Sequence, residues 1–124
     1  MPLYNTSTAA TAIGVTPKWL DNLLSHNHLD AVPSESQGVA RRLSVSAVTL
    51  IVLAKELIEN LDLPSPAALR IATTLMASPS GDIQLSPVLR LSLSTDELRA
   101  NVLERLARAV EVAPTPRRGR PPKR

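Results

Sequence analysis

The chain has 124 residues, 14 Lys and Arg against 11 Asp and Glu, and a formal net charge of +3. It contains no Cys and no Phe, and only one Trp and one Tyr. Disulfides, Cys-type zinc sites and thiol chemistry are therefore excluded, and the core of what reads as one modest domain must be built from Leu, Val, Ile and Ala.

Met1–Asn5 reads as a short lead-in. Thr6, Ser7 or Thr8 is placed to cap a first helix near Ser7–Ile13, whose Ala9, Ala10 and Ile13 share one face. Gly14 breaks that helix and a second begins at once. Thr16 can accept an orphan amide of its first turn, and Pro17 stands at the first helical position, where its missing N–H costs nothing. This helix is expected over Pro17–His26, with Trp19, Leu20, Leu23 and Leu24 packing inward and Lys18, Asp21, Asn22 and Ser25 on the other side. Asn27 follows as a left-handed helix end.

Residues 31–42 read as a loop with extended flanks, turned by Pro33, Ser34, Ser36 and Gly38. Val32 and the stretch from Val39 to Leu43 are expected to pair as a hairpin with Arg41 and Arg42 on its return strand. Ser44 then caps a helix over Val45–Asn60, apolar around more than half its circumference and hence central to the core. Leu61–Pro64 is a break, and Ser65–Pro66 restarts a helix by a cap-then-proline signal. Ala67–Ala77 is apolar nearly all round and is expected to pack on both sides. Ser78–Asp82 is a turn. Ile83–Leu85 and Val88–Leu93 follow with period-two alternation, which argues strands. Thr95 or Ser94 caps a last helix, Asp96–Val112, with Leu98, Val102, Leu106 and Val110 in a stripe that Leu103 widens. Pro114–Pro116 stops it, and the remainder is too polar and proline-rich to fold alone.

Charge is segregated along this order. Residues 114–124 hold Arg117, Arg118, Arg120, Lys123 and Arg124 and no acid, so the other 113 residues carry 9 basic and 11 acidic side chains, a balance of −2. A basic tail on a weakly acidic body points to an acidic partner for the tail. No apolar run approaches the roughly 20 residues that a membrane span needs. No export-type leader is evident, so a cytoplasmic, nucleoid-associated location and no membrane are expected. Gly-rich phosphate loops, nucleophile elbows and metal-ligand spacings are lacking, and His26 and His28, two apart, read as surface or helix-end positions with no third metal ligand in view. An enzyme is not expected, and neither is a cofactor.

Two helices joined by a tight Gly-containing turn make a helix-turn-helix, whose second helix normally enters the DNA major groove, and a hairpin after it is a wing. Thr16, Lys18, Asn22 and Ser25 would then face DNA, and Arg41 and Arg42 would reach phosphates. Over about Ser7–Met76 the order of elements resembles the MerR-like winged helix-turn-helix proteins. The resemblance is carried by Ala9-Ala10 with Ile13-Gly14-Val15, by Pro17–His26, by Arg41-Arg42-Leu43-Ser44 and by Val45-Ser46-Ala47-Val48. The basic residue and tyrosine pair usual in that family fall here near Asp21, Asn22 and Leu23. Its long dimerising coiled coil is replaced by the shorter 96–112 helix, and no Cys cluster is present for metal sensing. What the resemblance implies is thus the DNA-binding architecture, without effector sensing.

The tail Arg118-Gly119-Arg120-Pro121, with Arg117 before it and Pro122-Lys123-Arg124 after it, resembles an AT-hook. A narrow A·T minor groove has enhanced negative potential and attracts arginine. Gly119 lets the backbone approach the groove floor, and the prolines keep the segment extended. The expected fold is mainly α: a winged helix-turn-helix over 1–78, a hairpin plus amphipathic helix over 79–113 for packing or a homodimer through the 96–112 helix, and a disordered basic tail over 114–124. The expected function is double-stranded DNA binding by a transcriptional regulator. A protein-interaction adaptor or antitoxin-type module, or a nucleoid-type architectural binder, is the alternative.

Overall fold

A computed structural model describes residues 2–29 and 41–112. Its elements are β1 (Leu3–Asn5), α1 (Thr6–Ile13), α2 (Pro17–His26), β2 (Arg42–Ser44), α3 (Val45–Leu61), α4 (Ser65–Ala77), β3 (Asp82–Ser86), β4 (Leu89–Ser92) and α5 (Thr95–Val112). The described residues are mainly helical, with two small antiparallel sheets.

α3 is the centre. Residues 47–54 and Leu57 are all buried, which is possible only for a helix covered on several sides. α1, α4 and α5 pack on it, and α5 also packs along α1. Its start is set by Ser44, whose Oγ accepts the amide of Ala47 at 3.1 Å. Its end is set by Asp62, which takes the left-handed conformation at φ 56°. An aspartate tolerates that region better than most residues. One continuous core joins α1, α2, α3, α4 and α5 and consists of Leu, Ile, Val and Ala.

Several local readings are corrected. The lead-in is a strand: Leu3, Tyr4 and Asn5 pair with Ser44, Leu43 and Arg42. β2 therefore has an N-terminal partner, while Val32, its expected partner, lies outside the described residues with the rest of 30–40. α1 is capped by Asn5, whose Oδ1 accepts the Thr8 amide at 2.8 Å, and not by Thr6, Ser7 or Thr8. Asn27 is extended, and its side chain donates back to the Leu23 carbonyl at 2.9 Å, so it does not need the left-handed turn. α4 already includes Ser65, and Pro64 occupies the cap position with no side-chain hydrogen bond. α4 buries Ala68, Leu69, Ala72 and Leu75 along one face, while Arg70, Thr73 and Thr74 remain exposed, so it packs on one side only.

β3 and β4 pair with Ile83 opposite Leu91, and Gly81 closes the hairpin's base. Gly81 has φ +76°, and its carbonyl accepts the Leu93 amide at 2.8 Å. A Cβ there would lie 2.6 Å from the Leu93 carbonyl oxygen. In α5 the buried row is Val102, Leu106 and Ala109, whereas Val110 is 62 % exposed and Leu103 49 % exposed. Steps of four residues drift by about 40° each in a helix of 3.6 residues per turn. By the third step the core-facing position has therefore moved from 110 to 109.

Two measurements check this packing. Leu106→Ala should cost about 2–5 kcal/mol in urea unfolding, against no more than about 0.5 kcal/mol for exposed Leu103→Ala. Gly81→Ala should cost more than Gly14→Ala. At Gly14 nothing stands within 4 Å of an added Cβ, leaving only the roughly 1–2 kcal/mol backbone penalty of the left-handed region.

Candidate nucleic-acid interface

The surface begins at the turn between α1 and α2. Ala9, Ala10, Ala12 and Ile13 bury α1 against the core. At its end Gly14 takes φ 92°, and the amides of Gly14 and Val15 both reach the Ala10 carbonyl, at 2.8 and 3.0 Å. That closes the helix within one residue and frees the chain to start again at Thr16, whose Oγ1 accepts the Trp19 amide at 3.0 Å. Pro17 follows in the first turn.

α2 buries Leu20, Leu23 and Leu24 and leaves the opposite side in solvent. Lys18, Asn22 and Ser25 are exposed and spaced i, i+4, i+7, so they form one stripe along the outer surface. Thr16 is exposed at its head. On one flank of this stripe stands Asp21, 54 % exposed, with the Arg41 guanidinium 3.5 Å away and only 12 % exposed. On the other flank stand Trp19 and His26. Trp19 is half-buried and lines a groove of about 330 Å³ with Asn22, His26 and Pro66, next to the start of α4. This is the packing position expected of an aromatic side chain with one face on the core. His26 Nδ1 lies 2.7 Å from the Asn22 carbonyl, tying its ring to the helix end.

The structure therefore brings Thr16, Lys18, Asn22 and Ser25 onto one helix and sets Arg41 beside it. Arg42 is exposed on β2, one position before the buried Leu43. Arg117, Arg118, Gly119, Arg120, Pro121, Lys123 and Arg124 lie outside the described residues, as does the turn of the expected wing. The Asp21–Arg41 pairing is not readable from local spacing, because twenty positions separate the two. It matters chemically: the one carboxylate on the outer side of α2 is partly neutralised by its pairing with Arg41.

No family model matches the chain, and neither a curated protein nor a solved structure matches it.

Asp21→Asn should leave the unfolding free energy within about 1 kcal/mol of wild type, as expected for a pair with one exposed partner. If this face meets duplex DNA, the same change should tighten binding at low salt, by removing a charge of the same sign as phosphate. Urea titration and fluorescence anisotropy check the two effects.

Proposed function

We propose that the protein binds double-stranded DNA as a transcriptional regulator. In this reading α1, the Gly14 turn and α2 act as a winged helix-turn-helix, with α2 in the major groove. The observation that carries the reading is the outer face of α2: Lys18, Asn22 and Ser25 in one exposed stripe, with exposed Thr16 at the N-cap, on a helix whose other side is fixed in the core. Lys and Asn are suited to base edges in the major groove, and Ser and Thr to bases or phosphates. Arg42 would contact phosphate from β2. Arg41 would exchange or share its contact with Asp21.

The tail Arg118-Gly119-Arg120-Pro121 would hold an adjacent A·T-rich minor groove. Its readout is limited to A·T against G·C because that groove is degenerate. Five tail cations meeting four or five phosphates would contribute a salt slope near −4, at roughly −0.9 per phosphate. A homodimer through α5 would have to use the outward row that includes Leu103 and Val110, since Val102, Leu106 and Ala109 are occupied within the chain.

A second reading, a protein-interaction module, is favoured by one observation. The β3–β4 hairpin carries Val88 at 93 % exposure, with Leu85 and Leu89 also exposed. Three apolar side chains at one hairpin end suit a protein partner better than a phosphate backbone.

The test is an anisotropy titration of the full chain and of a version ending at Ala113, against A·T-rich and G·C-rich duplexes at two salt concentrations. The full chain should prefer A·T, and the shortened chain should lose that preference along with about 4 in salt slope. If neither binds above a polyanion control, the DNA reading is wrong and the hairpin becomes the surface to probe for a protein partner.

A further inference from the structure

A groove of about 440 Å³ runs between the end of α1 and the last turns of α5, with Ile13, Gly14, Lys55, Arg105, Arg108 and Val112 among its lining residues. Nine cations precede the tail, and three of them line this groove, with no carboxylate among its described lining residues. With Glu59 and Glu104 counted beside Lys55 and Arg108, the site keeps a surplus of one positive charge on a body whose balance is −2.

The three cations are not locked into the fold. Lys55 pairs with Glu59 at 3.0 Å and Arg108 with Glu104 at 2.8 Å. Both are i, i+4 pairs on helix surfaces, of the kind that contributes little in water and exchanges readily. Arg105 is half-buried and makes no ion pair among the described residues. Ile13, Ala109 and Val112 add apolar surface to the lining, with Val112 itself 70 % exposed.

The position of the groove is as telling as its charge. One end is the Ile13–Gly14 step, four residues before Lys18. The other end is Val112, beyond which the chain reaches Arg117 in five residues, no more than about 18 Å. The lining thus includes the residues that lead into the α1–α2 turn and the last described residue before the basic tail in sequence.

We propose that the Lys55–Arg105–Arg108 groove is a phosphate-binding track for duplex DNA, contacting one strand's backbone. This rests on the DNA reading above and adds to it a contact surface on α3 and α5. Such contacts position the protein and add salt-dependent affinity without sequence information.

The test uses the full chain and anisotropy on A·T-rich and G·C-rich duplexes between 50 and 200 mM salt. R105Q/R108Q should weaken binding to both duplexes alike. It should also reduce the magnitude of the salt slope by nearly 2, equivalent to roughly a tenfold smaller loss of affinity over that range, at about 0.9 per phosphate. R105K/R108K should restore the wild-type slope. R90Q/R99Q, with the same change in net charge placed elsewhere, should leave the slope unchanged. Thermal melting by circular dichroism accompanies each variant. If R105Q/R108Q melts early, R105Q alone carries the test, with about half the change in slope. The track is overturned, and the α2 reading stands, if the groove variant keeps the wild-type slope while K18Q weakens binding. Equal effects of R105Q/R108Q and R90Q/R99Q would reduce the groove to bulk charge and also overturn it. Wild-type binding no stronger than the polyanion control removes the track and the DNA reading together.

Discussion

The burial of α3 on nearly every side is the constraint from which the other surfaces follow. A 17-residue helix with nine buried positions needs several neighbours, and this chain supplies them as α1, α4 and α5. The core contains Leu, Ile, Val and Ala without Phe, so close approach depends on small side chains. Ala9, Ala10, Ala47, Ala54, Ala68, Ala72 and Ala109 are all at or near zero exposure. Alanine adds little apolar area of its own, yet it lets helix axes come close enough for the neighbouring Leu and Ile to interlock. Once α1 and α5 are seated on α3, the α1–α2 turn and the end of α5 become neighbours. The charged groove between them is a by-product of aliphatic packing.

What was legible in the sequence was what local chemistry decides. The Gly14 break, the Thr16 cap, Pro17 and the leucines of α2 fix that helix within ten residues, and its bounds and polar stripe follow directly. Ser44 and the apolar run after it do the same for α3. What was not legible depends on distant partners or on competition between equivalent residues. Asn5, Thr6, Ser7 and Thr8 all have side chains that can cap a helix, and pairing of Leu3–Asn5 with Arg42–Ser44 selects Asn5. α4 resembles a doubly packed helix because alanine counts as apolar, but Thr73 and Thr74 bond back to the Leu69 and Arg70 carbonyls and face water. The Asp21–Arg41 pair and the convergence of Lys55 with Arg105 and Arg108 are tertiary facts, between positions 20 and about 50 residues apart.

Charge in this protein is arranged by place more than by amount. Acidic side chains such as Glu56, Glu59, Glu104 and Glu111 are exposed on α3 and α5. Of the cations, three line the α1–α5 groove, five lie in the tail and Lys18 stands alone on the outer face of α2. A slightly negative balance over the body disfavours indiscriminate adhesion to polyanions.

The smaller of the two strand pairings has a mechanical meaning. β1 ends in Asn5, which caps α1, and β2 ends in Ser44, which caps α3. The strands run antiparallel with Leu3 opposite Ser44 and Asn5 opposite Arg42. One three-residue ladder therefore clamps the first turns of two helices that lie about forty positions apart in sequence. Parting the ladder would loosen both caps in a single opening event. The head of α1, which leads into the Gly14 turn, and the head of the central helix thus share a common latch.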